Sequence, residues 1–341
     1  MRFAMSRRKA IGVGGTLASG ALLGTGVVAA RSQAEATAAA SPADRIARTY
    51  RRVTKAAGGT WSSMISIADG DTVRPVVLDQ PDRVVEAYSV NKIAVAVAVL
   101  DKIDRGVLSL DQRVDVTEDI VIRDTDGIFG LDGAYPSSVT LGHALATLLT
   151  VSDNTAVRLC GLVCPAAELN EILRAKGFEH TQVVPVENPN RFFLGKTTPR
   201  ETHTLLRKLV TGELLSAKSS QYLLTVLRSL TSFTDGFRLY LTSPERLRVA
   251  TKAGWFADGR NEAGVVFGQD GTPLATYALF ASGQFTGGEA VDDDFSTNHP
   301  AVRARAQLGR TVMDAVADSA VGARSARLRF PAPAYRPSNG G

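Results

Sequence analysis

The chain has 341 residues, 44% of them hydrophobic and 21% charged, enough for one large domain or two smaller ones with a real core. Its formal charge of +5 sits mostly at one end, where residues 1–36 hold Arg2, Arg7, Arg8, Lys9 and Arg31 against Glu35. The remainder is close to neutral and has no basic cluster interleaved with aromatics, which excludes a nucleic-acid surface of the usual kind.

Ser6-Arg7-Arg8-Lys9, a Gly/Ala-rich apolar stretch from Ala10 to Ala30, and the small-x-small triplet Ala34-Glu35-Ala36 together read as a twin-arginine-like export signal. An uncleaved anchor is the alternative, since the stretch is about long enough to span a bilayer; its glycines favour cleavage. The mature protein is then exported, to periplasm or medium. It makes no stable membrane insertion, because no later stretch could cross a membrane.

After an Ala/Ser/Pro linker at 37–44, a helix is predicted from about Pro42 to Ala57. Strands follow at Ser62–Ala68 and Val73–Leu78 around the turn Asp69-Gly70-Asp71. The unbroken apolar run Ile93–Leu100 marks Ser89–Arg105 as a helix buried on nearly all sides. Residues 107–139 are loop-rich. Thr140–Thr150 is helical and ends at Ser152-Asp153-Asn154, where Asp153 or Asn154 caps the next helix, Thr155–Val163. Pro165 opens another helix, which ends at Gly177.

Residues 178–197 are read as an irregular loop. Thr198-Pro199-Arg200-Glu201 is a capping box that launches a helix to about Thr211, and Ser216–Leu230 is again helical. The last third turns to strands at Arg246–Ala253, Glu262–Phe267 and Pro273–Ser282, closed by an amphipathic helix over Pro300–Ala317. This order gives an α+β fold, an antiparallel sheet flanked by helices and drawn from both ends of the chain, with an all-helical domain inserted. The expected division is a signal at 1–36, a discontinuous sheet domain at 37–88 and 213–321, a helical domain at 89–212, and a disordered tail at 322–341.

Three groups carry chemistry. Ser89-Val90-Asn91-Lys92 is a Ser-x-x-Lys whose serine and lysine share a helix face, i and i+3 being neighbours. Ser89 at a helix N-terminus meets free N–H groups and the positive dipole end. Lys92 can take the serine's proton if burial or nearby cations lower its pKa. Ser152-Asp153-Asn154 supplies a proton relay, and Lys252-Ala253-Gly254 a cationic anchor. Read alone, each is ordinary: a capping serine with a solvated lysine, a capping turn, a strand lysine.

Cys160 and Cys164 lie four apart, as a disulfide in an oxidising compartment or as two core thiols. The four histidines have no ligand spacing, so no metal and no cofactor is expected. Nothing implies an oligomer, and a monomer is expected.

In that order, the three groups make residues 43–320 resemble a class A β-lactamase, or more broadly a penicillin-recognising serine hydrolase. The resemblance extends to Thr197-Thr198-Pro199 and the helix after it. It implies that Ser89 is acylated, that Ser152 passes a proton to the leaving nitrogen, and that Asn154 holds the substrate amide and helps fix Lys92. Lys252 would attract a substrate carboxylate, Gly254 would let the strand approach the ligand, and the N–H groups of Ser89 and Trp255 would form an oxyanion hole.

Ala253 departs from the family's Lys-Thr-Gly and removes one hydrogen bond to a carboxylate. Ala263 stands where an arginine is usual, with Arg260 nearby in sequence. Family members free the acyl-serine with a glutamate on the irregular loop. Counting from either side of that loop selects Glu187 or Gln182, with Glu179 weaker, and Glu187 is the expected water-activating base. Its replacement by alanine should then trap the acyl-enzyme. The resemblance implies hydrolysis of a small-molecule β-lactam as the expected function, with acyl transfer on peptidoglycan peptides as in a DD-peptidase, or non-catalytic binding of lactams or cell-wall fragments, as alternatives. The intact motif residues argue against the last.

Overall fold

Five strands, four of them buried along most of their length, build the central sheet of this computed structural model, which describes residues 40–70, 72–232, 236–285, 297–317 and 328–338. The expected export signal lies outside these residues. The strands are β1 (Thr60–Asp69), β2 (Thr72–Asp79), β8 (Val249–Phe256), β9 (Gly259–Phe267) and β10 (Pro273–Ser282), in the order β2-β1-β10-β9-β8 with every pair antiparallel. The N-terminal hairpin thus joins a C-terminal meander through β1 and β10, so both ends of the chain build one sheet. β8 is an edge strand.

One face of the sheet is covered by helices α1 (Pro42–Ala57) and α9 (Pro300–Ala317). Ile46 and Tyr50 of α1 and Leu308, Val312 and Met313 of α9 pack there with Ile65, Val266 and Leu279. The other face carries Ala250, Ala263, Val265, Ala278 and Phe280 into a larger core made by the helical region. Its helices are α2 (Lys92–Asp104), α3 (Leu141–Thr150), α4 (Asn154–Val163), α5 (Ala166–Ala175), α6 (Pro199–Thr211) and α7 (Ala217–Leu227); a short α8 (Ser243–Arg246) leads into β8. Residues Ile93 to Leu100 of α2 are all buried, as a helix apolar on every side must be. Sheet and helical layer belong to one unit, Ala40–Gly341.

Two differences from the sequence reading bear on the site. Residues 178–197 are not an irregular loop: β6 (Gln182–Pro185) and β7 (Phe192–Thr197) form a hairpin, and β7 also pairs with β3 (Val85–Glu86) just before Ser89. The strands of this hairpin are too short for a clear alternation, and the pairing that fixes it is made with a segment about a hundred residues away. The second difference is in the tail. Residues 328–338 have no regular structure, yet Phe330 is only 3% exposed and packs on Phe267. Its N–H donates to Gly271 O at 2.8 Å, and Arg228 donates to the carbonyls of Phe330 and Pro331. A single aromatic anchors a segment whose average composition reads as disordered.

Candidate active site

The segment that carries Ser89 is a 3-10 turn, Tyr88–Asn91, that runs into α2 at Lys92. The predicted helix thus begins as a tighter turn, and the N–H of Ser89, in its first turn, has no partner within the turn. β7 holds this turn from below: Ala87 N–H donates to Gly195 O at 2.9 Å, and Asn91 Nδ2 donates to Leu194 O at 2.7 Å and Lys196 O at 3.0 Å. β8 holds it from the side. A Cβ placed on Gly254 would lie 2.7 Å from both Ser89 N and Val90 N, so only glycine lets the strand pass this close.

Lys92 and Lys252 converge on one hydroxyl. Lys92 Nζ donates to Ser152 Oγ at 3.0 Å and to Asn154 Oδ1 at 2.8 Å, and also bonds the Ser152 carbonyl. Lys252 Nζ donates to the same Ser152 Oγ at 3.0 Å and to Ala253 O at 2.7 Å. Both lysines are buried, at 0% and 2% exposure. With both ammoniums donating, the Ser152 oxygen accepts two hydrogen bonds and its own hydrogen is left to donate elsewhere. Burial first, and the Lys252 charge second, hold Lys92 well below its usual 10.5, with Asp126 and Asp153 opposing. A neutral Lys92 still gives two hydrogens to the carbonyl oxygens and can turn its lone pair toward a hydroxyl.

Ser152 reaches this position through a left-handed backbone, φ 56°, and Tyr88 before the nucleophile has φ 48°. Each such conformation costs on the order of 1–2 kcal/mol in a non-glycine residue and is kept where the surroundings over-determine it. Asp153 is the restraint at Ser152. It caps α4 through Ala156 N–H at 2.9 Å and accepts from Ile128 and Phe129 N–H at 2.7 and 3.0 Å, the structural role expected of it. Asn154 is fixed on its other side by Thr125 Oγ1, which accepts from Nδ2 at 2.7 Å. Asp126, whose carbonyl accepts from Asn154 N–H, has its carboxyl pushed up by burial while Lys92 and Lys252 pull it down. Asn91, Thr125 and Asp126 were missed as site residues, the last two lying in the stretch 107–139 that reads only as loop-rich.

Trp255 also takes the expected place. The hairpin between β8 and β9 has the two-residue loop Ala257-Asp258, closed by Phe256 and Gly259. A closing pair of this kind shares both main-chain bonds, so Trp255, next along, turns its N–H away from β9 toward the cleft. Ala253 has the same sense, consistent with its carbonyl accepting from Lys252. Ala263 lies opposite Lys252 and Glu262 opposite Ala253, so no arginine replaces the missing one there.

Glu187 is not brought to this cluster. It lies in the 186–191 loop at the tip of the β6–β7 hairpin, exposed, with no hydrogen bond to Ser89, Lys92 or Ser152 among the described residues. That tip packs toward the α4–α5 junction, where Pro189 O accepts from Ala166 N–H and Asn190 lies against Gly161. The inner part of β7, not the hairpin tip, bonds to Ala87 and Asn91 on either side of Ser89. Gln182 donates to the carbonyls of Phe178 and Thr181, and Glu179 is exposed. Cys160 and Cys164 are two buried thiols, Cys164 pushed up to about 12 by burial and Cys160 raised further. Among the described residues no group of His, Cys, Asp or Glu could hold a metal, and no helix is long and apolar enough to cross a membrane.

A serine turn, a hydroxyl shared by two buried lysines and an edge strand come together in a β-lactamase/transpeptidase-like fold. The profile of the β-lactamase enzyme family matches residues 44–316, and the chain belongs to that family. β-Lactamase AER-1 of Aeromonas hydrophila is 29% identical over 172 residues, 49% of this chain and 55% of the relative, so the match spans about half the relative's length. A β-lactamase from Sphaerobacter thermophilus shares the fold with a TM-score of 0.62 at 19% identity, covering 80% of this chain and 96% of that one. A mutant of PBP-A, solved as an acyl-enzyme complex with penicillin-G, has a TM-score of 0.65 at 21% identity over 80% and 96% of the two chains.

Proposed function

We propose that this protein forms an acyl-enzyme on Ser89 from a β-lactam or an equivalent peptide amide, and that hydrolysis of that adduct is slow. The observation that carries the proposal is the Ser152 hydroxyl held 3.0 Å from each of Lys92 and Lys252. Neutral Lys92 removes the Ser89 proton, and Oγ bonds to the carbonyl carbon. The developing oxyanion is received by the N–H groups of Ser89 and Trp255, each donor contributing about 3 kcal/mol. The C–N bond then breaks. Ser152 gives its proton to the leaving nitrogen and regains one from protonated Lys92, so the products are an ester and an amine with no net proton gained or lost. Lys252 holds the relay hydroxyl and keeps Lys92 deprotonated.

Deacylation separates the two enzymatic readings. Hydrolytic turnover needs a base that drives water onto the ester, and the carboxylate expected for it, Glu187, is out in solvent on the hairpin tip. That favours a penicillin-binding, DD-peptidase-like enzyme over an efficient β-lactamase. Residues 1–36 support export as the route to either substrate.

A chromogenic cephalosporin tests both parts. The expected trace is a burst of about one equivalent followed by turnover at least a hundredfold slower. Steady turnover at the burst rate would overturn slow deacylation. No burst and no turnover would overturn acyl-enzyme formation.

A further inference from the structure

The positive charge of the folded chain is gathered on one helix. Of the +5 total, residues 1–36 hold +4 and α1 holds another +4, from Arg45, Arg48, Arg51, Arg52 and Lys55 against Asp44, so everything else sums to −3. Asp44 is engaged by Ser41, whose hydroxyl donates to it at 2.6 Å. Like charges three and four residues apart destabilise a helix, and a merely solvated face would alternate them with acids. On α1 they are massed instead. Positions 45, 48 and 52 share one face with Thr49 and span about 10 Å along the axis.

That face borders an open cavity of about 510 Å³ between α1 and α9, walled by Arg45, Arg48, Thr49, Arg52, Thr311 and Asp314. Two contacts join the helices beside it: Arg52 Nη1 donates to Gln307 Oε1 at 3.2 Å, and Thr311 Oγ1 lies 3.4 Å from Thr49 Oγ1. The one carboxylate in the walls, Asp314, is taken by Arg310, which donates to it at 2.5 Å and to the two oxygens of Glu245 at 2.7 and 2.9 Å. That triad counts as −1 and the three wall arginines as +3, so a formal surplus of +2 faces the cavity. Among the described residues neither Arg48 nor Arg52 pairs with a carboxylate. No wall residue is aromatic, so the cavity offers charge and hydrogen-bond donors without a platform for stacking a base.

We propose that this cavity is an anion site distinct from the serine cleft, and that its ligand is a phosphate group or a linked pair of them. Planar guanidiniums present N–H pairs that match phosphate oxygens, and three of them spread along α1 reach more than one face of a multivalent anion. α1 and α9 cover the sheet face opposite Lys92 and Lys252, so a phosphate held there leaves Ser89 free to react. Two sources carry that chemistry: a soluble phosphate ester or polyphosphate, and the headgroups of an anionic lipid surface. Either one neutralises charge that only the folded helix concentrates, and so stabilises the folded state.

Thermal unfolding in pyrophosphate, against sodium chloride at matched ionic strength, tests the site without any variant. About 5 mM pyrophosphate is expected to raise Tm by about 3 °C or more, and the double variant Arg48→Ala/Arg52→Ala to lose that shift. No shift in the parent protein, or a shift that survives in the double variant, overturns the site. Both substituted positions are exposed, and the variant is expected to keep the parent's circular dichroism and Ser89 acylation. Failure of the parent to acylate Ser89 would leave the pyrophosphate result standing. Sedimentation with phosphatidylglycerol vesicles, beside phosphatidylcholine vesicles, assigns the source. Co-sedimentation that pyrophosphate competes away supports a lipid headgroup, and pyrophosphate binding without co-sedimentation supports a soluble phosphate.

Discussion

The two faces of the five-stranded sheet each bury cations, and they treat them in opposite ways. On the face toward α1 and α9, Arg305 lies 3.5 Å from Glu262, whose carboxylate also receives Thr251 and Phe237. That charge faces a carboxylate, and its Nη1 donates to Asn261 O. On the other face Lys92 and Lys252 share the neutral hydroxyl of Ser152, which puts the two nitrogens no more than about 6 Å apart. Two ammoniums at that distance repel by about 3 kcal/mol at an effective dielectric of about 20. Asp126 and Asp153 relieve this only from farther off. Losing one proton relieves it directly, and the proton most easily lost is that of the more buried lysine, the one beside the serine. A buried charge that faces a carboxylate steadies the fold; two like charges on one hydroxyl store reactivity.

The largest effect expected from this contrast is on the site face. Lys92→Ala should slow Ser89 acylation by about a thousandfold, or about 4 kcal/mol of barrier. A loss below tenfold, measured with a chromogenic lactam on folded protein, would mean that another group takes the proton. Stability should respond on the opposite face. Glu262→Gln leaves Arg305 buried without its countercharge and should cost about 3–5 kcal/mol in denaturant unfolding. Lys252→Ala removes one of two like charges and should cost less than about 1 kcal/mol, or stabilise. It should also move the acidic limb of the acylation pH profile upward, because Lys92 regains affinity for its proton when the neighbouring charge goes. Equal destabilisation by the two variants would erase the distinction between the faces.

A third buried group marks where the site face meets β1. His203 of α6 lies 2.7 Å through Nε2 from Ser66 Oγ, and burial, with Arg207 and Arg200, lowers it to about 3. Its unfolded value is near 6.5, so the folded form rejects the proton. The neutral pair's contribution is complete above about pH 6.5 and is lost as pH falls toward 3, by roughly 4 kcal/mol. The difference in unfolding free energy between the protein and His203→Leu across that window checks it; a flat difference would contradict the burial argument. The smallest effect is expected at the hairpin tip. Glu187→Ala should change the deacylation rate less than twofold, and a trapped acyl-enzyme in that variant would return the glutamate to the chemistry.

Much of this arrangement was legible in the chain, for a physical reason. An apolar run as continuous as Ile93–Leu100 must lie in the interior, and as a helix it carries the serine and lysine beside it into the core. The three C-terminal strands were also legible, though β8 runs over Val249–Phe256 where Arg246–Ala253 was expected and β9 begins at Gly259 rather than Glu262; β10 runs over Pro273–Ser282 as read. What failed was position by counting. Glu187 was assigned by its distance from fixed points on either side of a loop, and the loop is a hairpin whose strand β7 pairs with β3, so its tip is carried away from the serine. The Glu262–Arg305 pair was invisible because it joins residues 43 apart whose meeting depends on how α9 crosses the sheet. Phe330 shows the converse, one large side chain outweighing the composition of its neighbours.

The most direct test of the account is to treat the protein with benzylpenicillin, quench, digest and locate the adduct. One equivalent of penicilloyl group on the peptide that carries Ser89, absent from Lys92→Ala, is the result required. Unmodified Ser89 in folded protein, or an adduct carried by any other residue, would contradict it.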